Sequence, residues 1–481
     1  MDPTREAERL LRHFARHTNL LIAGRPMRVD GDGPVADALA QMASGMGARV
    51  GAASPADAAV TVAFDVTTGA ITLGDAPLPD RGDAAGRLDF ARRHMPVSSA
   101  IATELREAGT VAGLRIGVAM TLEPKTANLA LLLADAGAQV TVYAHPDETD
   151  PAVAQALRER GVPCDADATL EPHQERAAAL AFLSRGFDVL VDDGSHLTRL
   201  AHEEGLTDAW LGATEETTSG LTPLRAMDRD GVLATPVVAV NDAATKTGFD
   251  NRYGTGQSCV LAIADLLDAA GVSVRDQPAL VIGYGPVGVG VAAHLRALGA
   301  RVAIAEIDPV RALLAAHDGF AVGTADALAQ GALVVSATGV AGTVPAAMTR
   351  AARAVAVAGG VPSEIDWDGE LEPVAEHVER LDPGTLILDR GGCINVTAAE
   401  GNPIEIMDLS FATQLAAVSE LIETRPATGV HALSAAAVAH VAATAARVRG
   451  VALAPRPARA SAATTDWRSP RYRTAADQEI A

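Results

Sequence analysis

Short apolar runs alternate with longer segments of helical period along most of this chain. LRIGVAM (114–120), AQVTVYAH (138–145), FDVLVDDG (187–194) and TPVVAVND (235–242) each end in polar or glycine-bearing residues. PALVIG, RVAIAE, GALVVSATG and ARAVAVAGG repeat the pattern from residue 278 to 360. Near-continuous apolar strands joined by helices predict a parallel sheet covered on both faces. The pattern starts near residue 89. Before it, residues 59–73 alternate around Thr68-Gly69 and predict a hairpin. An apolar helix is predicted over about 412–423. The expected division is an N-terminal accessory region over 1–88 and a first α/β domain over 89–245, completed by about 412–440. A second α/β domain follows over 246–411, then a tail over 441–481.

The second domain opens on a strand, a glycine turn and a helix. Gly283, Gly285 and Gly288 form G-x-G-x-x-G, and Glu306 ends the next strand 23 residues after Gly283. Such a turn brings backbone N–H groups against a pyrophosphate, and a carboxylate at that distance accepts from both hydroxyls of an adenosine ribose. NAD is the expected cofactor. The fold class is α/β, with two Rossmann-like doubly wound parallel sheets. Functional residues gather at the carboxyl ends of such strands. AMTLEPKTA (119–127), VDDGSH (191–196) and VNDAATK (240–246) sit there, with ATEETTSG (213–220) read as the loop between the last two.

The net charge of −21 argues against nucleic acid or an anionic membrane as partner. No apolar leader or membrane-length run is present, so a cytoplasmic protein is expected. Cys164, Cys259 and Cys393 have no metal or disulfide spacing. Of 39 basic residues only Lys125 and Lys246 are lysines. A lysine kept where arginine is the norm points to chemistry that arginine cannot do, since only lysine deprotonates when buried.

NDAATKTGFDNRYGTG followed by GYGPVGVGVA and AEIDP resembles the S-adenosylhomocysteine hydrolase family. LEPKTA, VDDG, EETTSG, SATG, NVTAAEGNP, MDLSFATQ and GVHAL follow the family's order over roughly residues 89–481. The resemblance implies that bound NAD oxidises C3′ of a nucleoside, that C4′ is then deprotonated, and that the 5′ substituent leaves by elimination. It implies catalytic roles for Lys246, Asp250, Asp193 and Glu216, with Lys246 acting through a lowered pKa. It puts Thr121, Glu123 and Asn402 at the base. It matches Thr217, Thr218, Ser219, Asn251, Val287 in the glycine turn and Asn395 to NAD contacts. Arg468 and Tyr472 match residues that reach a neighbouring subunit's NAD site, implying a homo-oligomer, a dimer or tetramer.

Several positions depart from the family pattern. Ala119, Gly360 and Asn402 stand where histidines are usual, Thr255 replaces a cysteine and Arg311 an asparagine. His145 and His196, which follow strand ends, are candidate substitutes. The redox half is intact and proton-transfer groups are missing. The expected activity is therefore 4′,5′-dehydration or hydration of an adenosine-type nucleoside. S-adenosylhomocysteine hydrolysis and a non-catalytic NAD-binding regulator are the alternatives.

Overall fold

The computed structural model describes residues 2–51, 55–359 and 361–455. Arg468, Tyr472 and Gly360 lie outside the described residues. Among those described, no helix is long and apolar enough to cross a membrane.

A six-stranded parallel sheet takes Arg115–Ala119, Gln139–Tyr143, Val189–Asp192, Gly212–Glu215 and Pro236–Ala239, and Gly429–Ala432 finishes one edge. Arg115–Ala119 lies between Gln139–Tyr143 and Val189–Asp192, so the winding reverses there. In open α/β sheets the crevice outside the carboxyl ends at such a reversal takes the ligand. Gly212–Glu215 is a strand, where the sequence reading made ATEETTSG a loop from Ala213 onward. It is four residues long and carries Thr214 and Glu215, so it lacks an apolar run. Its Thr214 is matched instead: Gln414 Nε2 donates to Thr214 Oγ1 at 2.7 Å from the long helix Ile404–Thr424.

An eight-stranded sheet carries the glycine turn. Ala321–Val322, Arg301–Ala305, Pro278–Ile282, Leu333–Ser336, Ala354–Val357 and Thr385–Leu388 run parallel in that spatial order. The antiparallel pair Val378–Leu381 and Leu371–Ala375 extends it. The two wound sheets agree with the expected α/β class.

The N-terminal region forms its own five-stranded sheet, and the hairpin closes with Asp65 opposite Ala70 and Val62 opposite Leu73. The region packs on this chain's own nucleotide half. Gln257 on helix Thr255–Ala269 accepts from Ile22 N–H at 2.8 Å and donates to Leu20 O at 3.0 Å. The buried Arg12 pairs with Glu8, Asp265 and Asp268.

Helix Thr255–Ala269 meets helix Pro286–Ala297 through glycines. A Cβ at Gly256 would lie 2.8 Å from the Gly290 backbone. Gly290 thus serves helix packing, one step beyond the nucleotide turn. Gly256→Ala is expected to force the helices apart and cost about 1–3 kcal/mol, the usual range for overpacking. Urea unfolding midpoints measure it, and an unchanged midpoint would contradict the close contact.

Candidate active site

The strand Pro236–Ala239 leads into a short helix, Ala244–Thr247, and then a wider π-helical turn, Asp250–Gly254. Such turns are rare and occur mostly at functional sites. This one sets Lys246 and Asp250 side by side, both buried, with Lys246 Nζ 2.9 Å from Asp250 Oδ2. Lys246 also donates to Asn251 Oδ1 at 3.2 Å and Asn241 Oδ1 at 3.4 Å. Asn402 Nδ2 donates to the other Asp250 oxygen at 2.6 Å and to Thr255 Oγ1 at 3.1 Å. Asn402 Oδ1 accepts from Ser258 Oγ at 2.7 Å and from Asn395 Nδ2 at 3.2 Å. A continuous hydrogen-bond chain therefore runs from Lys246 to Asn395. Asn402, expected to face a base, instead spends both ends of its amide on protein groups.

Carboxylates crowd the same crevice. Asp192 is fully buried and accepts from Thr198 N–H at 2.8 Å and Thr198 Oγ1 at 2.6 Å. Burial, with Asp193 nearby, raises it to about 6. Glu215 accepts through one oxygen from Gly194 N–H at 3.0 Å, Thr217 N–H at 2.8 Å and Thr217 Oγ1 at 2.7 Å. Burial and the Asp192 and Asp193 charges hold it well above the carboxylate range. Glu216 accepts from Ser410 Oγ, and burial pushes it up to about 7 against the pull of Lys246. Asp193 is raised by burial and pulled back by Lys246 and a Thr217 hydrogen bond. The second oxygens of Glu215 and Glu216 are buried and have no hydrogen-bond partner among the described residues. Buried polar atoms are normally paired, so two such atoms at one sheet end mark a place where a ligand completes the bonding.

This setting reverses the expected acidity of Lys246. Burial alone pushes it down, but Asp250, Glu216 and Asp193 outweigh burial and raise it. The lysine is held as a cation because it is the one ammonium among these carboxylates.

Other expected residues divide. Thr121 Oγ1 donates to Glu148 Oε2 at 3.2 Å. Glu123 is the N-cap of helix Pro124–Asp135, accepting from Lys125 N–H at 2.9 Å and Thr126 N–H at 3.0 Å. The Lys125 ammonium also lies 2.6 Å from it, so capping and pairing occupy the carboxylate expected at the base. Thr217 caps helix Thr218–Arg229, while Thr218 and Ser219 are exposed in its first turn. Glu148 and Glu215 were not singled out from the sequence. Glu148, raised to about 7 by burial and then by Asp193, comes from a turn with no motif. Glu215 stood next to Glu216 with nothing to mark it.

The nucleotide turn is built as expected. Gly285 is the N-cap of helix Pro286–Ala297 and brings no side chain to its free N–H groups. A Cβ at Gly288 would lie 2.0 Å from Gly283 O. Val287, between these glycines, stands in the first turn of the helix. Glu306 is fixed by Tyr284 N–H at 2.6 Å, Ile307 N–H at 2.7 Å and Asp308 N–H at 2.9 Å. Arg311 Nη1 would lie 3.6 Å from a Cβ built at Gly285.

Residues 251–402 match the family model described as S-adenosyl-L-homocysteine hydrolase, NAD binding domain. An adenosylhomocysteinase of Archaeoglobus fulgidus is 38% identical over 354 residues, covering 70% of this chain and 86% of that protein. The chain belongs to the S-adenosyl-L-homocysteine hydrolase family. An S-inosyl-L-homocysteine hydrolase of Methanopyrus kandleri is 37% identical over 378 residues, covering 74% of this chain and 87% of that protein. A second S-inosyl-L-homocysteine hydrolase, from Methanosarcina acetivorans, is 36% identical over 362 residues, 72% of this chain and 87% of that protein. The chain thus carries this family's NAD-binding domain.

Glu216 makes the electrostatics measurable. Its folded pKa, about 7, lies above its unfolded value. Its contribution to stability is full below the unfolded pKa and falls as pH rises through 7, by up to about 3 kcal/mol. Glu216→Gln should match the wild type at about pH 4 and be the more stable of the two at pH 8. Urea midpoints at both pH values check this, and equal midpoints at pH 8 would contradict the raised acid.

Proposed function

We propose that this protein hydrolyses an S-nucleosyl-L-homocysteine, cleaving the C5′–S thioether by way of transient oxidation at C3′. The observation that carries the reading is the buried Lys246–Asp250 pair, joined through Asn402 to Asn395 at the nucleotide fold. It couples a sugar-binding crevice to a cofactor site. The relatives named above are hydrolases of S-adenosyl- or S-inosylhomocysteine, which favours thioether hydrolysis over the dehydration of a free 5′-hydroxyl expected from the sequence.

The residues fit NAD: a side-chain-free helix start for the pyrophosphate and a fixed carboxylate for the ribose. Gly283, Gly285, Val287, Gly288 and Glu306 would hold the adenosine half, with Asn395 and Asn251 toward the crevice. NAD bound there would supply a hydride acceptor and donor for C3′. The protein groups do the rest. Lys246, held charged, donates to O3′ and stabilises negative charge as it grows there. Asp250 keeps the ammonium in place and accepts from a ribose hydroxyl. Glu216, close to neutrality, takes the O3′ proton. Asp193, which also feels the Lys246 charge, takes the C4′ proton.

Thiol capture after incubation with S-adenosyl- and S-inosylhomocysteine tests the reading and also reports the base. Homocysteine release from at least one is expected, and Lys246→Met should lower kcat by about 10²–10⁴-fold. No thiol from either substrate, with water lost from adenosine, would return the reading to dehydration.

A further inference from the structure

The strand Gln139–Tyr143 delivers His145 to the crevice at the point where the six-stranded sheet reverses. His145 Nδ1 lies 2.5 Å from Glu175 Oε1 on helix Pro172–Leu183. Its Nε2 is buried and has no partner among the described residues. A carboxylate on Nδ1 fixes the ring and its tautomer, which leaves Nε2 as the nitrogen that gains or loses a proton. The residue in register between Tyr143 and Asp192 is Ala119, so that strand end brings only a methyl group.

Charges meet His145 from every neighbouring element. Glu175 comes from the flanking helix, Glu148 from the turn that follows, and Asp192 and Asp193 from the end of Val189–Asp192, on the far side of Arg115–Ala119. Burial pushes the imidazole down, and Glu175, Glu148 and Asp192 overcome it, leaving the group raised. His196 stands edge to face at 5.0 Å, with Arg199 and Asp147 beyond it. Burial, then the His145 and Arg199 charges, lower His196 to about 4. Of the two histidines, His145 is the one whose surroundings favour the protonated form.

We propose that His145, oriented by Glu175, is the proton-transfer group for the departing and entering atoms at C5′. This rests on the thioether-hydrolysis reading. In the elimination the C4′–H bond breaks and its electrons form the C4′=C5′ double bond. The C5′–S bond breaks with its pair on sulfur, and sulfur takes the Nε2 proton of His145. In the return, water gives a proton to Nε2, its oxygen bonds to C5′, and C4′ regains a proton.

The holoenzyme with its bound NAD is assayed for three signals: nucleoside-dependent NADH absorbance, exchange of the C4′ proton with deuterated water, and homocysteine release. His145→Gln should lose about 100-fold or more in release and keep the other two. Wild-type release would overturn the proposal. So would loss of all three signals together, which would mark a residue needed only for the fold. Glu175→Gln removes a charge that raises His145, so the alkaline limb of kcat should move to lower pH. An unmoved limb would overturn the role of Glu175 in setting the proton. Failure of the hydrolysis reading shows in the wild type itself, as no homocysteine from either substrate, and would sink both.

Discussion

The Lys246–Asp250 pair is the constraint on which the rest of the site depends. A buried ammonium is tolerated only when paired and hydrogen-bonded, and removing one partner of such a pair leaves an uncompensated charge. Here the pairing is over-determined. Asp250 uses one oxygen for Lys246 and the other for Asn402, and Asn402 in turn holds Asn395. The ion pair is therefore tied to Asn395, and a shift at either end of that hydrogen-bond chain would have to break buried hydrogen bonds.

The N-terminal region supports this arrangement from behind. The loop that carries Asn402 is gripped on both sides. Asn19 Nδ2 donates to Gly401 O at 3.3 Å, and Arg81 and Arg87 pair with Glu400. Arg25 and the Leu21 N–H hold Glu405. Lys125 binds three elements at once: Glu123, Asn19 and Glu400 O. A region without any chemical motif thus reaches Asp250 at two removes. Its contribution is to keep an asparagine amide in place.

Much of the fold was legible because parallel strands buried on both faces leave plain apolar runs, and the expected runs at 279–282 and 301–305 lie on strands Pro278–Ile282 and Arg301–Ala305. Gly212–Glu215 was missed because its Thr214 is satisfied from a helix residue 200 positions away. The scarcity of lysine drew attention to Lys246 but could not separate it from Lys125. Both are buried and both are paired. What differs is what surrounds them: Lys125 faces a cap and backbone oxygens, Lys246 an open set of acids. The Glu175 partner of His145 stands 30 residues further along the chain, with no period linking the two. Contacts of that kind are made by the winding of the sheet and leave no local trace.

The same winding explains how the crevice handles protons. The two neighbouring interior strands Val189–Asp192 and Gly212–Glu215 bring Asp192, Asp193, Glu215 and Glu216 to one end of the sheet. One lysine cannot neutralise them all. Acids without a counter-charge in a buried site remain protonated to higher pH, which is why Glu216 and Glu148 sit near 7 and Asp192 near 6. Groups that titrate close to neutrality give and accept protons at little cost in either direction. A chain that lacks a histidine at position 119 can therefore still move protons, through carboxylates tuned by burial that surround the His145 imidazole. That tuning holds only while water stays out, so the packing that excludes water is itself part of the chemistry.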